Sequence, residues 1–140
     1  ISLASKLVGI ATYKFVAQLD EAPHVVNCQT LIAWLYGQCG IMVPDLLSEQ
    51  LYCGIPVESL HTAQKGDWVF TKGRVYNFYD AERARNGIGH IGLVVEEDTV
   101  LHASFKVRTV VKEPISEFIG DQNRFRGVYR LPQFVGLLLK

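Results

Sequence analysis

The chain has no excess of charge of either sign: 14 lysines and arginines stand against 14 aspartates and glutamates in 140 residues. That balance excludes the basic footprint of a nucleic-acid binder and leaves no field to steer an acidic surface. No apolar run approaches the ~18 residues that a membrane helix needs, so no membrane span is expected. The longest apolar cluster near an end, Phe134 to Leu139, is too short for one and is expected to dock on the body or on a partner. Cysteine is scarce and odd in number, as Cys28, Cys39 and Cys53, which excludes a closed disulfide framework. No C-x-x-C or H-x-x-x-H spacing is present, so no metal site is expected. An initial methionine is also lacking; the chain opens on Ile1, and further sequence upstream of it is expected.

What is present suits one compact domain over residues 1–140, with 49% apolar and 20% charged residues. Leu3, Leu7, Val8 and Ala11 sit at helical spacing, and Pro23 stops any helix in the loop that follows. Asn27 is a good N-cap and Gly40 a good residue just past a helix end, so a helix is predicted from Cys28 to about Cys39. Its apolar positions Leu31, Ile32, Trp34, Leu35, Tyr36 and Cys39 wrap most of the circumference, which predicts a central, buried helix. A short helix near Leu46 to Tyr52 follows. The character then changes to short β-branched or aromatic runs: Gly66 to Thr71, His90 to Val95, Thr99 to Ser104, Val107 to Lys112 and Phe125 to Leu131. Helices first and an antiparallel sheet of about five or six strands afterwards is an α+β pattern. The link from Lys72 to Gly89 is longer than ordinary connections and reads as a flap or substrate loop, with Arg83 and Arg85 placed to receive a carboxylate.

Cys28 raises the functional question. As the first residue of a capped helix it would sit beside unsatisfied backbone N–H groups and about half a positive charge. Those groups lower a thiol's pKa and stabilise an oxyanion on an attacked carbonyl. The competing reading is a small hydrophobe filling a core. A nucleophilic thiol needs a base, and four histidines are available. His24 and His61 fall in polar loops and are expected to be solvated. His90 and His102 fall on two strands of one hairpin, where a scaffold can aim them. Hairpin register decides whether they meet. A two-residue turn at Glu97-Asp98 that pairs Val95 with Val100 puts them on opposite faces. A three-residue loop that pairs Val95 with Thr99 makes them diagonal neighbours, about 7–8 Å apart at the backbone. Only then can His102 orient His90.

The ordered segments "NCQTLIAWLYGQCGI", "AQKGDWVF", "GHIGLVVEEDTVLHAS" and "FRGVYRL", with "YKF" before and "SEQ" between, resemble the NlpC/P60 family of papain-like cysteine peptidases. The resemblance runs from about Tyr13 to Leu131. It implies a papain-like core whose central helix carries the nucleophile and packs on a sheet carrying the histidine. Carried over by position, Cys28 matches the nucleophile, His90 the base, His102 the polar third residue, and Tyr13 a tyrosine near the nucleophile. The implied activity is cleavage of peptide bonds in peptidoglycan stem peptides, between D-glutamate and a diamino acid, without metal or organic cofactor. The resemblance further implies export to the periplasm or cell surface, with a cytoplasmic location as the alternative. Asn27 stands where the family usually has aspartate, and Gln29 and Thr30 replace small residues. Gln29 either crowds the substrate pocket or hydrogen-bonds a substrate carbonyl. These departures motivate a second reading, a binding or structural module that keeps the fold without the chemistry. Oligomeric state has no signal in the sequence.

Overall fold

The computed structural model describes residues 2–132. The Phe134 to Leu139 cluster lies outside the described residues. In chain order the elements are α1 (Ser2–Lys6), β1 (Thr12–Tyr13), β2 (Val25–Val26), α2 (Cys28–Gln38), α3 (Leu47–Gln50), β3 (Ile55–Val57), β4 (Trp68–Thr71), β5 (Phe78–Asp80), β6 (Ala84–Ile88), β7 (His90–Glu96), β8 (Thr99–Ser104), β9 (Thr109–Pro114), α4 (Ile115–Ile119) and β10 (Phe125–Arg130). Eight strands form one sheet in the order β2-β1-β9-β8-β7-β4-β10-β3, and β5 pairs with β6 in a separate hairpin.

The fold class is α+β, as the sequence pattern implies, but the sheet has more strands than the five or six expected. The five β-branched or aromatic runs appear as β4, β7, β8, β9 and β10. The additional strands β1, β2 and β3 are two or three residues long, too short to show alternation in a sequence. The β1–β2 pair is parallel, and every other pairing in the sheet is antiparallel.

The alternation of side chains divides the core in two. Ile91, Leu93 and Val95 of β7, with Leu101 and Ala103 of β8, join Trp68 and Phe70 under the α2 residues Leu31, Ile32, Leu35 and Tyr36. Each of those four α2 side chains is buried, worth about 1.5–3 kcal/mol for a full-sized apolar group. On the opposite face Val69, Val94, Val100 and Val128 pack against Ile115, Phe118 and Ile119 of α4.

Helix α2 starts where the sequence reading placed it. Asn27 is extended at φ −115°, its Oδ1 accepts from Thr30 N at 2.9 Å, and its own N–H donates to Thr30 Oγ1 at 2.9 Å. Such reciprocal capping satisfies two backbone donors. Asn27 Nδ2 donates to the carbonyls of Phe15 at 3.1 Å and Ala17 at 3.3 Å, which ties the preceding loop to the head of the helix. Cys39, expected in the core, is instead exposed at the C-cap. Apolar spacing carries no information about where the partner surface stops.

Candidate active site

The β7–β8 hairpin sets the histidine geometry. Its turn is the two-residue Glu97-Asp98, with Asp98 at φ 57°, and the pairs are Glu96 with Thr99, Val94 with Val100 and Leu93 with Leu101. One extra residue, Val95, bulges between Glu96 and Val94. A bulge shifts register by one residue and so reverses the face of everything beyond it. The short turn therefore gives the juxtaposition that the sequence reading assigned to a three-residue loop. His90 and His102 share one face, with His90 Nε2 2.9 Å from His102 Nδ1 and ring centroids 4.9 Å apart.

Two further contacts hold the pair. His102 Nε2 lies 2.8 Å from Glu113 Oε1 on β9. Phe118 of α4 packs on both rings, with centroids 5.4 Å from His90 and 4.7 Å from His102. Gly92, by lacking a side chain, is what admits Phe118. A Cβ there would stand 2.8 Å from Phe118 Cζ and closer still to Val100 Cγ1, so any side chain would expel the ring. Burial pushes His90 well below the usual imidazole value, reinforced by His102 and the Arg124 and Arg74 guanidiniums. His102 is also lowered by burial, against the pull of Glu113. Both rings are neutral near pH 7.

Cys28 belongs to the core of the other face, yet its sulfur reaches the foot of β7. The pairing of β7 with β8 begins at Leu93, and the backbone N–H groups of Ile91, Gln29 and Cys28 favour a charge on the sulfur. The thiol itself donates to Gln29 Oε1 at 3.1 Å. Among the described residues no hydrogen bond joins Cys28 to His90. The helix start was expected to acidify the thiol. Burial outweighs the three N–H donors and pushes it up to about 11. At rest this is a protonated thiol, not a thiolate–imidazolium pair.

Tyr13 lies close enough to feel the cysteine: burial and a charge on Cys28 push its hydroxyl up to about 12, against the effect of Arg108. Arg108 lies 5.5 Å over the Tyr13 ring, and Phe105 meets the ring edge-on at 5.8 Å. The Tyr13 hydroxyl has no hydrogen-bond partner among the described residues. A cavity of about 260 Å³ opens against Tyr13, His90, His102 and Phe118, with Arg74, Lys72, Lys106 and Arg124 around it. Cys28 is buried and does not line it. The Lys72–Gly89 segment contributes through residues 72–76. Arg83 and Arg85 bind backbone carbonyls instead. Arg83 donates to the carbonyls of Leu51 and Gly54 at 2.9 and 3.0 Å, and Arg85 folds back on the Ala81 carbonyl. His24 and His61 are exposed, as expected.

A tyrosine and a histidine pair thus line one cavity, a cysteine heads the helix packed on the other face of the sheet, and the model of the NlpC/P60 family matches residues 11–128. The chain belongs to the NlpC/P60 family. No curated protein matches it. Among solved structures, NlpC2 from Trichomonas vaginalis is 18% identical with a TM-score of 0.71, over 93% of this chain and 44% of that one. This NlpC/P60 chain therefore spans less than half the length of that relative. The peptidoglycan hydrolase RipB from Mycobacterium tuberculosis is 18% identical with a TM-score of 0.66, over 91% of this chain and 60% of that one. RipD from the same organism, a non-catalytic NlpC/p60 domain protein adapted to peptidoglycan binding, is 14% identical with a TM-score of 0.65, over 92% and 91% of the two chains. At these identities the likeness carries the fold alone.

Glu113 and Phe118 escaped the sequence reading. A single glutamate on a polar-alternating strand looks like any solvated charge. Its signal is register: β9 pairs His102 with Val111, which puts Glu113 two residues on and on the same face.

Proposed function

We propose that this domain is a cysteine hydrolase that cleaves a peptide bond in peptidoglycan stem peptides, of the D-glutamate–diamino acid type, with Cys28 as nucleophile, His90 as base and His102 as its orienting partner. The observation that supports this best is His90 Nε2 set 2.9 Å from His102 Nδ1, next in sequence to Ile91, whose N–H favours a charge on the Cys28 sulfur. In the reaction the thiol hydrogen leaves Gln29 Oε1 for His90 as the sulfur attacks the carbonyl carbon. The resulting oxyanion is stabilised by the first-turn N–H groups of α2 and the Tyr13 hydroxyl. Collapse breaks the C–N bond, and His90 returns the proton to the departing amine. Water, deprotonated by His90, then adds to the thioester and releases the acid and the thiol. Asn27 serves by holding the helix start and the Phe15–Ala17 loop, and Gln29 by accepting from the thiol or donating to a substrate carbonyl. Arg74 and Arg124 offer the charge for a substrate carboxylate. The domain spans residues 1–140, needs no cofactor, and acts outside the cytoplasm.

The test is digestion of purified muropeptides read by mass spectrometry. The wild-type protein yields new peptide fragments, whereas the folded Cys28→Ala variant loses at least ~10³-fold in rate. Equal activity of the variant rules out the thiol mechanism. A second reading is favoured by the thiol hydrogen bond to Gln29 and the pKa of about 11: a peptidoglycan-binding module without turnover. Co-sedimentation with peptidoglycan sacculi, together with no cleavage by the wild type, would support it.

A further inference from the structure

We propose that Glu113 is a positioning residue that selects the tautomers of both histidines, and so leaves His90 Nδ1 as the atom that takes the thiol proton. The inference rests on the hydrolase reading for the last step only. An ionised carboxylate accepts hydrogen bonds and cannot donate. The 2.8 Å contact from Glu113 Oε1 therefore places the proton of His102 on Nε2. Neutral imidazole carries one N–H, so His102 Nδ1 presents a lone pair. That lone pair faces His90 Nε2 at 2.9 Å, which must then be the donor. His90 Nδ1 is left bare, and it has no hydrogen-bond partner among the described residues. Without the carboxylate the two rings have an equally well-bonded alternative: His102 Nδ1–H donating to His90 Nε2. In that state His90 Nδ1 carries a hydrogen and cannot accept one. The geometry of the rings is the same in both states, so Phe118 and the sheet cannot choose between them. The carboxylate can.

The remaining charges near the pair do not substitute for it. Lys72 and Arg74 after β4, Lys106 after β8 and Arg124 before β10 are cations, and Glu117 of α4 lines the same cavity but makes no hydrogen bond to either ring. The Glu113 side chain is 30% exposed while that of His102 is 8% exposed, so substitution at 113 removes the carboxylate without emptying a core position.

The experiment uses the full chain with ¹⁵N-labelled histidine, as wild type, Glu113→Gln and Glu113→Asp. Two-bond ¹H–¹⁵N spectra near pH 7 should show both His90 and His102 as Nε2–H tautomers in the wild type. Glu113→Gln should give mixed tautomers at both rings, and Glu113→Asp should recover the wild-type pattern at least in part. The rate of Cys28 alkylation by iodoacetamide should fall about tenfold or more in Glu113→Gln. Its acid limb should move to lower pH, because the lost carboxylate no longer favours the protonated pair. A merely structural role would scale the profile without moving it. Wild-type tautomers in Glu113→Gln, or an unmoved acid limb, would overturn the proposal. Neither readout needs a cleaved substrate, so failure to digest muropeptides would count against the hydrolase reading and not against Glu113.

Discussion

On the α2 face of the sheet, Trp68 Nε1 donates to Tyr36 Oη at 2.9 Å, and Tyr36 Oη donates to the Gly66 carbonyl at 3.1 Å. On the α4 face, Glu113, His102 and His90 form a relay with the same number of members. The first is buried and the second partly so, and both are braced by aromatic contacts. They differ in how they end. The first runs into a backbone carbonyl, and burial raises the Tyr36 hydroxyl far above its usual value, so no proton moves along it at any physiological pH. The second begins at a partly exposed carboxylate and ends at a bare imidazole nitrogen. One chain fixes where a helix sits on the sheet. The other fixes where a proton goes.

The strongest way to break this comparison is to cut each chain once. His90→Ala should lower thiol-dependent turnover of muropeptides by about 10²–10⁴-fold and leave the urea midpoint nearly unchanged, since His90 is only half-buried at the cavity. Tyr36→Phe should do the reverse. It strands the Trp68 N–H in a site where Trp68 is fully buried, at a cost of about 1–3 kcal/mol, with turnover kept under conditions where the variant stays folded. If folded Tyr36→Phe lost turnover as deeply as His90→Ala, the two chains would be parts of one functional network and the distinction would collapse.

The two faces also differ in how much of them can be read in the sequence. Helix α2 announced itself through Asn27, the first-turn cysteine and the apolar residues Leu31, Ile32, Leu35 and Tyr36, because capping and amphipathicity are local. The strands carrying His90 and His102 were legible for the same reason. Their meeting was not settled, because it hung on a bulge at Val95 that no residue type demands. Phe118 and Glu113 were invisible: one lies on a five-residue helix, the other on a strand whose partner is set only by sheet order. The state of Cys28 was misjudged for a related reason. Helix-start electrostatics can be read from sequence, whereas the depth of burial that overrides them is a tertiary property.

The relay also makes the fold sensitive to acid in a direction that the other chain does not. His90 and His102 are held below the ordinary imidazole value of 6.5 in the folded state. As pH falls through about 6.5 the unfolded chain binds protons that the folded chain does not. The unfolded state then binds more protons, so stability is lost on going down from that pH and regained on going up. The urea midpoint should therefore fall between pH 7 and pH 5, and His90→Gln should flatten the fall. A midpoint equally steep in His90→Gln would show that the acid sensitivity lies elsewhere.

A smaller effect separates the thiol from both chains. Cys28 sits on the α2 face, opposite the histidines proposed to act with it, and Gln29 accepts the thiol hydrogen at 3.1 Å. That bond favours the protonated sulfur, so it adds to the effect of burial and opposes the Ile91, Gln29 and Cys28 N–H groups. Removing the acceptor in Gln29→Ala should release the thiol by the worth of one modest hydrogen bond, ~0.5–1.5 kcal/mol. Iodoacetamide alkylation at pH 7 should then speed up by about 2–12-fold, with Asn27 and Thr30 still capping the helix and the melting temperature little changed. An unchanged or slower rate would mean that Gln29 helps to aim the sulfur, not to restrain it. In that case the residue would belong with His90 and Tyr13 as part of the reacting group, and the thiol would be held protonated by burial alone.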